Sequence, residues 1–385
     1  MDWPDLPVEA RDAASFWPPF CPWPECIQHR PTVGARARFR RHGTFRRPSD
    51  GCRVPRYRCV LCRRTCSRQT FSCSYYLKRP DLGSPIAAAL EAGSAHRQIA
   101  RSLRCAASTV TYRAARLGRH AILLMARALI DSPPLDEPLV VAHFESFAFS
   151  QDFPFGIATA IGARSWFVYG LDPAPHRPGG RARRRSRAVP PNGRGGYRAS
   201  FRRMLDALLP LAGSRSPLSL ITDGHDAYVR SVRSHPGKSR IRHLRFSNPP
   251  RGRKGEPRSP EARRRDAAMF PVDLFHGILR HTCAHYRRET IAFGRRLNAL
   301  MERMFLTAVW RNFVKGRSER KPGPPVTPAM YRGLAGAPWS WEKVLSQRLF
   351  ATQLDLPPAW KELYDRSWIT PAAGNNRRHS LVRAY

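Results

Sequence analysis

Acidic residues and long apolar runs are scarce in this sequence. Its 385 residues include 67 lysines and arginines against 28 aspartates and glutamates, which gives a formal net charge of +39 and an isoelectric point of about 11.4. A charge excess of this size indicates a polyanionic partner, because every phosphate contact releases condensed counterions. No apolar run is long enough to span a membrane, and residues 1–5 lack the basic and apolar segments of a secretion signal. We therefore expect a soluble intracellular protein with no membrane partner.

Cysteines are concentrated near the amino terminus. Seven of the nine lie between positions 21 and 73, and an odd total without a secretion signal argues against a disulfide framework. Cys21 and Cys26 form one pair, Cys59 and Cys62 form a second, and each pair can supply two thiolates to one tetrahedral Zn²⁺ ion. This spacing predicts a structural zinc ribbon within residues 1–80. Three further cysteines are either replacement ligands or small buried apolar residues: Cys52, Cys66 and Cys73.

Residues 81–130 have the pattern of a helical domain. A first helix is predicted to end near Gly93, and Ile99, Ala100 and Leu103 then have the spacing of the inward face of a helix-turn-helix. Ser108 is predicted to cap the second helix of this motif. An ordinary antiparallel helical pair is the alternative, but the basic outer face favours DNA binding. The predicted DNA-binding residues are Arg97, Arg101, Arg104, Ser108, Thr109, Thr111 and Arg113.

The pattern changes to β structure in residues 131–316. Segments 138–147, 155–161 and 166–171 predict an antiparallel meander of three strands. They are followed by an amphipathic helix, a strand that ends at Asp223, another strand at 241–246, and helices over 272–314. Two basic segments without an apolar period, 176–199 and 248–265, are interpreted as flexible insertions. The order of three strands, helix, strand, helix, strand and helix is that of an RNase H-like α/β domain with a mixed sheet.

Two acids have positions at which such a domain binds catalytic metals. Nucleases of this kind hold two divalent ions with carboxylates from the first strand, the end of the fourth strand and a helix after the fifth. Asp223 lies where the fourth predicted strand stops, before Gly224, which can form the turn. Asp273 is expected in the first turn of a helix that begins near Phe270, where an anion is favoured. The alternatives are an acid in a surface turn for Asp223 and a helix-capping acid for Asp273.

The motif Ile221-Thr-Asp-Gly-His-Asp-Ala-Tyr228 resembles the second-acid motif of bacterial insertion-sequence transposases of the insertion-sequence-one-like group. Residues 272–280 and 286–296 are similar to the block with the third acid, and the order of modules over residues 21–314 is also similar. The resemblance implies Mg²⁺- or Mn²⁺-dependent cutting and joining of double-stranded DNA at the inverted repeats of a mobile element. It also implies a cytoplasmic, nucleoid-associated bacterial protein, with Asp223 as the second acid and Asp273 as the third.

The sequence departs from this family at the first acid. By the spacing of the family motif the first aspartate falls on Ala142, whose methyl group cannot bind a metal. Glu145 is the nearest acid, although strand alternation places it on the opposite face unless a bulge intervenes. Further alternatives as ligands are His143, His276 and Glu289.

Three functions remain open from the sequence. The chain is a working transposase that uses Glu145, Asp223 and Asp273, a catalytically degenerate relative that only binds DNA, or an RNA-binding protein with the same charge. An apolar helical face near position 300 indicates core packing or self-association into a homo-oligomer: Leu300, Met301, Met304, Phe305, Ala308 and Val309. The Pro- and aromatic-rich tail, residues 317–385, either docks on the preceding domain or is disordered. For Trp339 and Trp341 we favour burial over stacking on nucleobases.

Overall fold

The computed structural model of the protein describes residues 16–30, 37–48, 51–176, 196–213, 216–250, 256–287, 290, 292–319, 323–346 and 348–370. Within these ranges the fold is mixed α/β and contains one sheet of three strands and one of five. None of the described helices has the length and apolar character needed to cross a membrane. Most of the basic insertion predicted at 176–199 lies outside the described residues.

The three-stranded sheet belongs to a small cysteine module near the amino terminus. Its strands β1 (Phe39–Arg46), β2 (Arg53–Cys59) and β3 (Thr65–Ser67) are antiparallel and adjacent in chain order. They enclose a compact apolar core of their own, which consists of Phe16, Cys21, Cys26, Ala37, Phe39, Tyr57, Cys59, Cys66, Phe71 and Phe350. We use "cysteine module" below for residues 16–76 and this core.

Three helices follow the cysteine module. They are α1 (Gly83–Glu91), α2 (His96–Ser102) and α3 (Ala107–Asp131). The predicted end of the first helix near Gly93 is confirmed, since Gly93 has φ +84, a left-handed conformation that glycine adopts without steric cost. The second half of α3 is buried, and a Cβ atom at Gly118 would come within 2.5 Å of the Glu302 carbonyl oxygen. Helix α3 therefore packs directly on a later helix of the chain.

The five-stranded sheet forms the centre of the larger body. It consists of β4 (Leu139–Phe147), β5 (Pro154–Gly162), β6 (Val168–Pro175), β7 (Leu218–Thr222) and β8 (Ile241–Arg245). The strands lie in the order β6-β5-β4-β7-β8, with β4 to β6 antiparallel and β7 and β8 parallel to β4. The predicted meander and the two later strands are thereby confirmed. Because β4, β7 and β8 are parallel, their carboxyl ends lie at one edge of the sheet.

Helices cover both faces of this sheet. They are α4 (Tyr197–Leu208), α5 (Asp226–Arg233), α6 (Pro260–Thr282) and α7 (Leu297–Val309). His143 of β4 contacts α4 and α5 through Ser200 and Tyr228, whereas Thr159 of β5 contacts α6 through His276. Side chains on one strand alternate between faces, so α4 and α5 cover one face and α6 the other. The apolar face predicted near position 300 is buried, which confirms its interpretation as core.

Helix α6 begins ten residues earlier than the sequence suggested. The Ser259 hydroxyl accepts a hydrogen bond from the Ala262 backbone N–H, and Pro260 occupies the first turn, where its missing N–H costs nothing. Pro271 lies inside the helix and does not end it. Asp273 is consequently in the middle of α6, and the prediction that it lies in a first turn is wrong. The predicted insertion 248–265 is likewise wrong in its last six residues, which are helical.

The carboxyl-terminal segment docks on both parts of the molecule. It contains three short helices, α8 (Pro328–Tyr331), α9 (Trp341–Val344) and α10 (Pro358–Tyr364). Phe350 completes the core of the cysteine module, and the Trp360 indole N–H donates to the Leu171 carbonyl of β6 at 2.8 Å. Trp339 stacks on Phe313 with ring centroids 4.5 Å apart, and Trp341 is buried. For the described residues 323–346 and 348–370, docking is the alternative that the structure supports.

Candidate functional site

Four cysteine side chains converge in the cysteine module. The Sγ atoms of Cys21, Cys26, Cys59 and Cys62 all lie within 4.8 Å of one another. The first two come from the loop around the 3-10 turn Ile27–His29, and the other two from the end of β2 and the turn after it. Arg63 takes a left-handed φ of +57 in that turn, and its backbone N–H closes the turn by donating to the Cys59 carbonyl at 3.0 Å. The two pairs named from the sequence are therefore brought into one site.

The geometry of this cluster fits a tetrahedral metal ion such as zinc. Ligand bonds of about 2.3 Å at tetrahedral angles separate neighbouring sulfur atoms by roughly 3.8 Å. The Cys21 and Cys62 sulfurs are 3.6 Å apart, and those of Cys26 and Cys59 are 3.8 Å apart. The Gln28 side-chain N–H donates to the Cys59 sulfur at 3.1 Å. Such a donor stabilises thiolate charge, and the sequence pattern gave no indication of it.

The alternative ligands near the cluster are not part of it. Cys66 is buried in the same core, and desolvation raises its pKa to about 12, as expected of a thiol that packs as an apolar group. Cys52 is exposed. Cys73 lies 3.8 Å from His120 Nδ1, outside the group of four. In the described part of the chain, the four cysteines are the one group of three or more His, Cys, Asp or Glu side chains close enough to share an ion.

The predicted helix-turn-helix has an exposed basic surface. Ile99 and Ala100 of α2 are buried, while Arg97, Arg101 and Arg104 are exposed around a shallow depression at the amino end of α3. The N-cap of α3 is Ala106, so no capping side chain competes with an anion at the start of this 25-residue helix. This surface can bind phosphate groups.

Two of the predicted DNA-contacting residues have other roles. Ser108 does not cap α3, because the helix already begins at Ala107. Arg113 is 6% exposed and donates a hydrogen bond of 2.6 Å to the Arg79 carbonyl, so it ties α3 to the segment before α1. Its prediction as an outward-facing residue is wrong, since the face of α3 that carries it turns towards the protein. Thr111 is exposed and hydrogen-bonded to His96, and Thr109 is half-buried.

Asp223 lies just beyond the carboxyl end of β7, level with the middle of β4. It follows Thr222, the last residue of β7, and its carboxylate accepts a hydrogen bond from the His225 backbone N–H at 3.0 Å. Gly224 makes the turn with φ +82, as the sequence predicted. The carboxylate contributes, after burial, to raising the pKa of the Tyr228 hydroxyl. The Asp223 carboxylate therefore stabilises the local turn and also lies close enough to Tyr228 to affect its hydroxyl.

Ala142 lies on the face of the sheet that α6 covers. It pairs with Thr159 across β4 and β5, and the Thr159 hydroxyl lies 3.2 Å from His276 Nε2. Directly opposed residues in antiparallel strands share a face. The parallel ladder between β4 and β7 ends where Val141 pairs with Thr222. Ala142 and Asp223 each follow that last pair by one residue, and Ala142 offers only a small apolar side chain there.

Glu145 lies on the other face of the sheet, as strand alternation predicted. Its carboxylate accepts a hydrogen bond from the Tyr197 hydroxyl of α4 and lies 3.7 Å from His176 Nε2. Burial, followed by this hydrogen bond, raises the pKa of Tyr197. The described strands have no bulge that would turn Glu145 towards Ala142, because the register of β4 with β5 is continuous from Leu139 to Phe147.

The histidines considered as ligands are packed side chains. The His143 ring nitrogens lie 2.6 Å from the Tyr228 hydroxyl and 2.8 Å from the Ser200 hydroxyl, and burial holds its pKa well below its usual value. Burial, and then Arg280, lowers the pKa of His276 to about 3. Both rings are therefore neutral at pH 7, and each is held by hydroxyl groups.

Asp273 forms an ion pair within its own helix. Its exposed carboxylate pairs with Arg265, two turns earlier on α6. Glu289, the other acid considered, lies outside the described residues. Glu145, Asp223 and Asp273 do not form a group that could share a metal ion within the described part of the chain.

Comparison with known proteins gave no relative. No protein-family model matches the chain, and neither curated proteins nor solved structures give a significant match.

Proposed function

We propose that this protein is a DNA-binding relative of insertion-sequence transposases whose RNase H-like domain has lost its two-metal catalytic site. The cysteine module is its zinc ribbon, the helices α1 to α3 form its DNA-binding helical domain, and the five-stranded sheet is the core of the former nuclease domain. The alternative function is that of a working transposase, which would cut and join DNA.

The architecture of the sheet supports the RNase H-like assignment. The chain forms three antiparallel strands, then a helix, a strand, a helix, a strand and a helix, with the first strand at the centre. Two parallel strands extend the sheet beyond β4, and this places the first and fourth strands side by side. In that arrangement acids at the ends of these two strands can share metal ions. Asp223 is at the end of the fourth strand.

Charge supports a nucleic-acid partner. Exposed arginines in both amino-terminal modules contribute to the net charge of +39. In the cysteine module Arg40 lies opposite Arg58 and Arg46 lies opposite Arg53 across β1 and β2. Like charges directly opposite each other destabilise a sheet, so these pairs need a compensating anion. Phosphate groups of a duplex that crosses this hairpin and the depression at Arg101 would supply it.

The position of Ala142 carries the proposal that catalysis is lost. Ala142 lies on the α6 face, one residue beyond the last β4 position that pairs with β7, and its methyl group offers no ligand atom. Glu145 lies on the face of β4 opposite Ala142 and is held by Tyr197, and among the described residues it does not join Asp223 in a group of three possible metal ligands. Asp273 is exposed and paired with Arg265. One acid at the sheet edge is too few for two divalent ions.

DNA binding is tested by fluorescence anisotropy with a labelled duplex. We expect affinity that falls steeply between 50 mM and 200 mM salt, by at least about a hundredfold if several phosphates are contacted. A structured RNA of the same length serves as competitor at fixed salt. Preference for the RNA, or an affinity that does not change with salt, would contradict the DNA-binding proposal.

Catalysis is tested by nicking of a supercoiled plasmid in Mg²⁺ or Mn²⁺. We expect the wild type to nick no faster than Asp223→Ala, because the metal site is incomplete in both. Wild-type nicking that Asp223→Ala abolishes would overturn the proposal and establish a working transposase. Ala142→Asp adds the missing carboxylate next to Asp223 and is expected to bind Mn²⁺ more tightly than wild type, whereas the double variant with Asp223→Ala is not.

A further inference from the structure

Two phenylalanine rings are exposed side by side at the carboxyl edge of the five-stranded sheet. Phe149 is 42% exposed and Phe293 is 38% exposed, and their ring centroids are 6.3 Å apart with an angle of 78° between the planes. Phe149 lies two residues beyond the end of β4, and Phe293 lies four residues before α7. Exposure of large apolar side chains to water is unfavourable, so a ligand that covered both rings would be stabilised by their burial.

The backbone holds this pair in a fixed arrangement. The Phe149 N–H donates to the Gly294 carbonyl at 2.8 Å, so the loop after β4 and the segment before α7 are joined directly. Phe149 has φ +70, which is unfavourable for a side chain of this size. Such strain persists when surrounding contacts impose it and is frequent at ligand sites. The pair lies just beyond the carboxyl end of β4, a strand that extends six residues past Val141, its last residue paired with β7.

The surroundings of the pair are basic. Arg287 and Arg295 are exposed on the segment that leads to and follows Phe293. Arg280 donates to the Glu145 carbonyl at 2.5 Å and lies 4.2 Å from the centre of the Phe144 ring, so a third guanidinium is fixed at the end of β4. An apolar stacking surface bordered by guanidinium groups is complementary to an aromatic base attached to phosphates.

We propose that Phe149 and Phe293 form a stacking site for an unpaired nucleobase of DNA, with Arg287 and Arg295 contacting the adjoining phosphates. The ligand is an unpaired base because bases inside a duplex have both faces covered by their neighbours. This site rests on the proposed function, since it requires the protein to bind DNA. It adds selectivity for strand ends or distorted duplexes to the general affinity of the basic surfaces.

The test compares two DNA probes on the same protein. One is a blunt duplex, and the other is the same duplex with a three-nucleotide single-stranded end that carries 2-aminopurine. We expect wild type to bind the probe with the single-stranded end more tightly and to change its 2-aminopurine fluorescence. Phe149→Ala and Phe293→Ala should each weaken binding of that probe about tenfold while leaving blunt-duplex affinity unchanged. Phe149→Trp, which keeps a stacking ring, should retain the preference.

The control is Phe270→Ala, which removes an equally exposed phenylalanine that packs on Trp166 at a different place on the molecule. It should not alter the preference for the single-stranded end. Equal affinity of wild type for both probes, or equal losses on both probes in the alanine variants, would overturn the stacking site. A change of oligomeric state in the alanine variants, with the probe preference intact, would show that the rings contact another protein chain instead. Failure of wild type to bind either probe would contradict the proposed function itself.

Discussion

The Phe350 ring packs edge-on against the Phe20 ring, with centroids 5.1 Å apart. This contact joins the carboxyl-terminal segment to the cysteine module. Nearby, His29 Nε2 lies 2.8 Å from the Thr352 hydroxyl, 323 positions away in sequence, and the Arg30 guanidinium donates two hydrogen bonds to the Thr352 carbonyl. The cysteine module is thus tied by several contacts to the segment that contains Phe350 and Thr352.

Replacement of Phe350 by alanine should release the cysteine module from the body. Removal of a fully buried phenylalanine ring costs about 3–5 kcal/mol, and here the loss falls on the contact between two parts of the molecule. We expect trypsin to cleave the arginine-rich strands β1 and β2 faster than in wild type. Ile369→Ala, at an exposed position of the same segment, is the control and should leave the rate unchanged. An unchanged cleavage rate in Phe350→Ala would show that other contacts suffice.

Metal removal should unfold the cysteine module selectively. Four thiols in one small core are stable as thiolates only around a cation, and zinc binding supplies roughly 10 kcal/mol or more to such modules. Cys59→Ser is expected to lose the metal measured by mass spectrometry of the purified protein. Cys66→Ser, which changes a buried thiol outside the cluster, should retain it. Retention of metal in both variants would contradict the four-cysteine site.

Arg101 and Arg113 should differ in their effects: Arg101 on DNA binding, and Arg113 on the stability of the fold. Arg101→Ala removes an exposed charge at the amino end of α3 and is expected to weaken duplex binding and to lower the slope of log affinity against log salt by about one. Arg113→Ala removes a buried donor to the Arg79 carbonyl and should lower the free energy of unfolding by about 1–3 kcal/mol, with the salt slope unchanged. A matching change of slope in both variants would show that Arg113 also contacts DNA.

Acid should destabilise the fold through buried histidines. Burial, and then Arg280, lowers the pKa of His276 to about 3, below the ordinary value of 6.5 expected in the unfolded chain. The unfolded state therefore binds a proton below pH 6.5 that the folded state does not, so the contribution of His276 to stability is complete above pH 6.5 and declines as pH falls towards 3. His285 has the same lowered pKa and acts in the same direction.

The measurement is the free energy of unfolding in urea at pH 7 and pH 5. His276→Gln should reduce the loss of stability between these values, by up to about 1.4 kcal/mol for each pH unit over which His276 alone would titrate. His42→Gln, at an exposed position of β1, is the matched control and should show the wild-type loss. The same loss of stability in His276→Gln as in wild type would indicate that other groups determine acid unfolding.

Much of the local structure could be predicted from periodicity and turn residues. The strands at 138–147 and 155–161, the strand before Asp223 and the turn at Gly224 were predicted because alternating or continuous apolar runs ended at residues with clear turn preferences. The start of α6 was missed because its signal, Ser259 followed by Pro260, lay in a charged segment that was interpreted as a flexible insertion. Arg113 was misplaced because composition does not show which face of a long helix is covered.

The sequence by itself determined the element order, the four converging cysteines and the absence of an acid at position 142, because each depends on residue identity and short-range spacing. Tertiary structure alone decided that Tyr197 holds Glu145, that Arg113 is buried against the segment before α1, and that Phe350 completes a core begun by Phe16 and Cys21. These relationships join residues that are distant in sequence or lie on opposite faces of one element. They depend on how the sheet and its helices pack, which no local pattern encodes.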